Sequence, residues 1–82
     1  MPIRAFVLVT TKPGTSEEVV RARRVRGVKL ANSVFGRFDA VIMVEAKDLE
    51  ELRRIVYEMI EQLPNVVHTE TLISLFYPPE PP

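Results

Sequence analysis

The segment FDAVIMVEAKDLEELRRIVYEMIEQL, residues 38–63, places a strand directly before a helix. Its first part is rich in β-branched and other apolar residues, which predicts a strand over residues 38–46. Asp48 follows as a candidate helix cap. Beyond it apolar residues recur at helical spacing, which predicts one long amphipathic helix with a buried stripe of Leu49, Leu52, Ile55, Val56, Met59, Ile60 and Leu63.

Turn residues divide the rest of the chain into similar units. Residues 3–11 predict a strand and residues 12–14 a turn, and a helix then begins at Thr15 or Ser16 and ends at Gly27. Residues 28–35 and 66–77 predict two further strands, and the short Gly36-Arg37 link predicts that the second and third strands are antiparallel neighbours.

The predicted order is strand, helix, strand, strand, helix, strand, which is that of the ferredoxin-like α+β fold. In this fold one four-stranded antiparallel sheet carries both helices on one face. We expect residues 1–77 to form this domain and residues 78–82, which are rich in proline, to form an extended tail.

Both faces of the predicted sheet are apolar. In the first strand Ala5, Val7 and Val9 alternate with Phe6 and Leu8, and the third strand alternates between two apolar sets in the same way. Two helices cover only one face, and a whole apolar face is unusual on a protein surface. We therefore expect a symmetric homodimer that pairs through the sheets as a dimeric α+β barrel. A small sheet that tolerates exposed valines is the alternative.

Composition excludes several kinds of site. The 82-residue chain has no cysteine and one histidine, which excludes disulfides, thiolate chemistry and a zinc site of several histidines. Eleven basic residues balance eleven acidic ones, which argues against binding nucleic acid through a broad positive field. No targeting signal or membrane span is predicted, so we expect a cytoplasmic protein. Few Asn and Gln residues beside many Arg and Glu residues are typical of thermophile proteins.

One segment departs from the charge balance. Residues 21–29 hold five basic residues and no acidic one, which leaves six basic and eleven acidic residues elsewhere. The segment predicts either an anion or nucleic-acid patch or a helix C-terminus, where the helix dipole favours cations. Any positive patch would be local.

Residues suited to catalysis are few. His68 has no predicted partner, and no base lies beside Ser16 or Ser74 to activate a hydroxyl. A small dimeric α+β-barrel enzyme, of monooxygenase or isomerase type, would have to use His68, Asp39 and Tyr57, and it remains the alternative to a binding domain. The third strand lacks the aromatic residues with which RNA-recognition domains stack bases.

Two short segments suit a small zwitterion such as an amino acid. Gly36 can take a positive φ and expose backbone N–H groups, and Asp39 can hold the loop or meet an ammonium group. Thr69 and Thr71 are two residues apart in a strand, so their hydroxyls point to one side. An ordinary hairpin followed by strand-forming threonines fits the same spacing.

Gly36-Arg37-Phe38-Asp39 resembles the Gly-x-Tyr-Asp signature of the effector-binding (RAM-type) domain of Lrp/AsnC transcriptional regulators, with Phe38 in place of the usual tyrosine. The resemblance extends over residues 3–76. It includes the apolar residues 5–9, Pro13-Gly14, Gly27-Val28, the helix start at Asp48 and the Thr69-x-Thr71 pair.

This resemblance implies a non-enzymatic domain that senses an amino acid in transcription regulation. Family members dimerise through their sheets, often form octamers and bind amino acids between subunits. The residues that the resemblance assigns to the effector site are Gly36, Arg37, Phe38, Asp39, Thr69 and Thr71. Backbone N–H groups near Gly36 would bind the carboxylate, and Asp39 or a threonine hydroxyl would bind the amine.

The resemblance implies no metal and no cofactor. No helix-turn-helix precedes the first strand of this sequence. We therefore expect a stand-alone domain that does not itself contact DNA or membranes and that could co-assemble with full-length regulators.

Overall fold

A computed structural model describes residues 2–75 as a four-stranded antiparallel sheet with helical segments on one face. The strand order is β2-β3-β1-β4. In chain order the elements are β1 (Ile3–Thr11), α1 (Ser16–Val19, continued by a 3-10 segment, Val20–Arg24), β2 (Val28–Ser33), β3 (Ala40–Ala46), α2 (Leu49–Arg54, continued by a π-helical segment, Ile55–Ile60) and β4 (Val66–Ile73). This order confirms the ferredoxin-like prediction.

Several strand ends differ from the sequence predictions. β2 ends at Ser33 and β3 begins at Ala40, so residues 34–39 form a longer loop than the predicted two-residue link. A hydrogen bond from the Val34 amide to the Asp39 carbonyl (2.9 Å) closes this loop. β2 and β3 are antiparallel neighbours, as predicted. β4 ends at Ile73, and the predicted continuation over residues 76–77 and the proline-rich tail lie outside the described residues.

Asp48 caps α2, as predicted. Its Oδ1 accepts a hydrogen bond from the Glu51 amide (2.8 Å), and the Glu51 carboxylate accepts one from the Lys47 amide (2.9 Å). The bond to Asp48 satisfies an amide that the first helical turn would otherwise leave without a partner, and the bond from Lys47 ties the residue before the cap to that turn. Among residues 2–75 no helix is long and apolar enough to cross a membrane.

The buried stripe of α2 is narrower than predicted. Leu52, Ile55, Val56 and Ile60 are buried, but Leu49 and Met59 are exposed. Leu49 is the first residue of the helix and lies beyond the edge of the core. From Ile55 onward the hydrogen bonds follow the wider π-helical spacing, which turns Met59 away from the sheet.

The core between sheet and helices is built from small side chains. Alternate residues of β1 and β3 are buried, as the alternation predicted, together with Ala22 and Ala31. The buried residues of the two central strands are Ala5, Val7, Val9, Ala40, Ile42, Val44 and Ala46. Small side chains let short helical segments lie close to the sheet, and they leave a thin core.

The opposite face of the sheet, here called the open face, carries larger apolar side chains. Cross-strand register aligns one apolar residue from each strand in a single row: Leu30, Met43, Phe6 and Leu72. The next row has Leu8 and Val41 at its centre, with Asn32 and Glu70 at its ends. Both faces of the sheet are therefore apolar, as predicted.

Gly27 lies at the closest approach between the chain before β2 and α2. Its φ is +95°, and a Cβ added there would lie 2.8 Å from Ile55 Cδ1 and 3.1 Å from the Glu45 carbonyl oxygen. The Gly27 carbonyl also accepts a hydrogen bond from the Glu45 amide (2.8 Å). The backbone conformation therefore favours glycine, and an added Cβ would also force the Ile55 side chain and the Glu45 carbonyl to shift.

We predict that Gly27→Ala lowers the free energy of unfolding by about 2–4 kcal/mol, because a left-handed backbone and an overpacked contact add their costs. Gly14 is the matched control, since its φ is +78° and an added Cβ would meet nothing within 4 Å. Gly14→Ala should cost only about 1 kcal/mol. Urea denaturation of both variants measures the difference, and equal losses would contradict the packing argument.

Candidate functional site

The predicted effector loop, residues 34–39, lies at one end of the sheet. Phe35, Gly36 and Arg37 are exposed at its tip, and Phe38 and Asp39 are half-buried. Gly36 has a φ of +144°, and a Cβ added there would meet no atom within 4 Å. The tip therefore presents backbone and side chains to solvent, with glycine at the position whose conformation disfavours other residues.

Asp39 anchors this loop to β1. Its Oδ2 accepts a hydrogen bond from the Thr11 amide (2.8 Å), and its own amide donates to the Val9 carbonyl (2.9 Å). The bond to Thr11 lies where the pairing of β1 with β4 shifts register, between Thr10 and Thr11. Asp39 therefore holds the loop, which is one of the two roles that the sequence allowed.

Thr69 and Thr71 lie on the helix-facing side of β4. Their cross-strand partners are Val9 and Val7, both buried beneath the helices. The Thr69 hydroxyl donates to the Glu61 carboxylate (2.9 Å). The two threonines thus share one side of the strand, as alternation predicts, but only Thr71 is without a hydrogen-bond partner for its hydroxyl among the described residues.

Within one protomer the two predicted segments are only partly brought together. Register places Ala40, Val9 and Thr69 in one row, so Asp39 is two strands, or about 10 Å, from Thr69. Gly36 and Arg37 line neither of the grooves that Thr69 and Thr71 line. A single chain therefore does not enclose a ligand between the loop tip and the threonines.

Thr71 lines a groove between α2 and β4, here called the α2–β4 groove. Its volume is about 370 Å³, and its walls include Leu49, Arg53, Val56, Tyr57 and Ile73. Of these helix residues the sequence suggested only Tyr57 for a site, and only for the alternative of an enzyme. The available signal was that Tyr57 is an aromatic residue outside the predicted buried stripe, and the structure shows it 54% exposed.

Arg53, at the α2–β4 groove, is already paired with two carboxylates. Its guanidinium lies 2.6 Å from Glu50 and 3.6 Å from Glu58. The hydrogen bond from Arg53 lowers the pKa of Glu50, and the charge of Arg53 lowers it further. Because two anions neutralise it, Arg53 is a poor anchor for the carboxylate of a ligand.

The three residues considered for catalysis lie in separate places. His68 is exposed and lines a shallow groove with Glu61 and Thr69, Tyr57 lines the α2–β4 groove, and Asp39 lines neither. No cluster of three or more His, Cys, Asp or Glu side chains in residues 2–75 could hold a metal ion. The described part of the chain therefore brings no catalytic set together.

Comparisons with known proteins agree with the fold. The model of the Lrp/AsnC ligand binding domain matches residues 4–78. The crystal structure of TTHA0845 from Thermus thermophilus is 33% identical, covers 95% of this chain and 99% of its own, and superposes with a TM-score of 0.87. For PHS023 from Pyrococcus horikoshii the identity is 30%, the coverage 92% of each chain and the TM-score 0.83.

A longer protein is also similar. The feast or famine regulatory protein from M. tuberculosis, solved in complex with L-methionine, is 25% identical and has a TM-score of 0.72. The match covers 92% of this chain and 51% of that protein, so this chain spans about half its length. No match to a curated protein was found. With the family model matched over residues 4–78, the chain belongs to the Lrp/AsnC ligand-binding domain family.

Proposed function

We propose that this domain senses an amino acid in transcription regulation and works as an oligomer that pairs through the open face. The main support is that the matched region, residues 4–78, contains both the Gly36–Asp39 loop and the two threonines. The L-methionine bound by the similar M. tuberculosis regulator supports an amino acid as the ligand.

In this proposal the loop binds the polar end of the amino acid. Backbone N–H groups near Gly36 donate to the carboxylate, and a threonine hydroxyl or the second oxygen of Asp39 binds the ammonium group. Oδ2 of Asp39 is already bound to the Thr11 amide, so Asp39 both holds the loop and leaves Oδ1 for a ligand. Arg37 and Phe38 complete the loop.

A second copy of the chain completes the site. The loop tip and Thr71 do not face one another within one protomer, so contacts from both segments to one ligand require two protomers. Because Thr71 lies on the helix-facing side, a contact between dimers would bring in such a partner, whereas pairing of the open faces forms the dimer itself and covers the central row of Leu30, Met43, Phe6 and Leu72. The same face could pair with the corresponding domain of a longer regulator, and further dimer contacts could extend the assembly to an octamer.

The open face has the arrangement of apolar and polar residues that is typical of a protein interface. Its centre is apolar and partly aromatic, and polar groups surround it: Arg4 with Glu45 on one side (3.4 Å), Thr10 with His68 on the other. Phe6, Leu30 and Leu72 are 37%, 40% and 53% exposed in the isolated protomer. Burying these side chains against a partner stabilises an assembly by the hydrophobic effect.

We predict that the wild-type chain sediments at twice the protomer mass or more at micromolar concentration. Phe6→Glu should weaken self-association by at least about 100-fold, because pairing would bury an uncompensated carboxylate. Met59→Glu is the matched control: Met59 is 44% exposed, but it lies on the helical side of the sheet. A monomeric wild type, or equal weakening by both variants, would contradict pairing through the open face.

We predict that isothermal titration calorimetry of the wild-type oligomer gives heat with at least one of the common amino acids. Thr71→Val keeps the side-chain shape and removes the hydroxyl, so it should weaken that binding by about tenfold. Thr10→Val is the control for loss of a threonine hydroxyl away from the α2–β4 groove; because Thr10 lies at the rim of the open face, sedimentation must show that both variants keep the wild-type oligomer. The sensing role is refuted by an intact oligomer that binds no amino acid.

We predict that Asp39→Ala lowers the free energy of unfolding by about 1–3 kcal/mol, because the Thr11 amide loses its acceptor. Asp39→Asn keeps a side-chain oxygen and should lose less than half as much. Urea denaturation measures this anchoring role separately from ligand binding. If both variants are as stable as the wild type, the bond to Thr11 does not hold the loop.

A further inference from the structure

We propose that the exposed cations of residues 21–29 form a binding surface for the phosphate backbone of double-stranded nucleic acid. This surface, here called the basic edge, comprises Arg21, Arg23, Arg24, Arg26 and Lys29. It lies on the 3-10 segment after α1, the following turn and β2. The proposal goes beyond amino-acid sensing, does not depend on it, and departs from the expectation, drawn from the family resemblance, that the domain does not itself contact DNA.

The 3-10 geometry gives this segment two ridges of side chains, one that faces the core and one that faces solvent. With three residues per turn, Val19, Ala22 and Val25 stack on one side, and Arg21 and Arg24 on another. Val19 and Ala22 are buried and Val25 packs on the core, whereas Arg21 and Arg24 are exposed. The buried ridge fixes the direction of the arginine ridge.

The cations of the basic edge lack ion-pair partners among the described residues, although Arg26 lines a groove that Glu51 and Glu58 also line. None of the five forms an ion pair within residues 2–75; the only side-chain hydrogen bond among them is from Arg23 to the Ala31 carbonyl (3.1 Å). By contrast, Arg4 and Arg53 both contact carboxylates. The other residues carry six basic and eleven acidic groups, so a neutral chain is divided into a positive edge and a negative remainder.

The helix dipole accounts for only part of this charge, because Arg21, Arg23 and Arg24 lie in the last turn of the 3-10 segment. α1 has four residues, and its 3-10 continuation has five. The dipole acts within the last turn of a helix. Arg26 and Lys29 lie beyond the segment, in the turn and in β2, so the dipole does not stabilise them.

The make-up of the basic edge favours phosphate over an acidic protein. Four of its five cations are arginines, whose planar guanidinium groups bind phosphate oxygens in pairs. A stable protein interface needs apolar or aromatic anchors at its centre. Here Val19 and Ala22 point inward, and residues 21–29 contain no aromatic residue, so such anchors are lacking.

The absence of an aromatic residue from residues 21–29 also favours duplex over single-stranded nucleic acid. Binding of single strands relies on aromatic side chains that stack on bases. A surface of cations without aromatic residues contacts only the phosphate backbone. Such binding does not depend on the base sequence and is sensitive to salt.

The test is fluorescence anisotropy of the full chain with a labelled DNA duplex of mixed sequence, over a range of salt. If about five phosphates are contacted per protomer, raising salt from about 50 to about 200 mM weakens binding by two to three orders of magnitude. The variant Arg21→Ser/Arg24→Ser should reduce the salt slope by about 2 and weaken binding at low salt by about tenfold or more. Neither side chain makes a hydrogen bond within residues 2–75, so the fold is retained.

Lys12→Ser/Arg53→Ser is the matched control, because both side chains are exposed, lie outside the basic edge and do not line the groove of Arg26. This control variant should keep most of the affinity for the duplex and most of its dependence on salt. The proposal is overturned by any of three results: no binding to the duplex at low salt, equal losses from both double variants, or polyglutamate competing with the duplex as well as unlabelled duplex does. The last result would identify an acidic protein as the partner.

Discussion

The structure depends on one constraint: the sheet is apolar on both faces, but the helices of the chain cover only one of them. The helix-facing side is filled with alanine and valine, and its largest fully buried side chains are Ile42 and Ile60. The larger apolar residues, among them Phe6 and Met43, lie on the open face. Much of the apolar area that could stabilise the chain is therefore unused in an isolated protomer. For so small a chain, the proposed pairing would add substantially to the stability of the folded state.

Regular periodicity explains what the sequence predicted well. Strict alternation in β1 and β3 identified both faces, and Asp48 marked the start of α2, because these features depend on neighbours in the chain. Met59 was assigned wrongly to the core because the α-helical period does not hold through residues 55–60, and Leu49 because the helix begins there, beyond the edge of the core. The loop between β2 and β3 was predicted too short, since its closure depends on a bond between Val34 and Asp39 and not on a local turn motif.

For the candidate site, too, the sequence did not indicate contacts between residues that are distant in the chain. The sequence singled out Asp39 as a group that could hold the loop or bind an ammonium. It could not show that the Thr11 amide, 28 residues away, is its partner. Nor could it show that Thr71 faces a groove whose other wall is α2, because that contact depends on how the helix packs across the sheet. The sequence could indicate candidate residues, whereas the distances between them come only from the tertiary structure.

The two proposed surfaces are compatible because they lie on different sides of the molecule. Arg21 and Arg24 are on the helical side of the sheet, so pairing through the open face leaves them exposed. A two-fold dimer would present two basic edges on one particle, and a polyanion that contacts both would be held more tightly than by either edge alone. Self-association would then strengthen binding to a duplex without any new contact. Loss of the dimer should therefore weaken duplex binding even when every cation of the basic edge is retained.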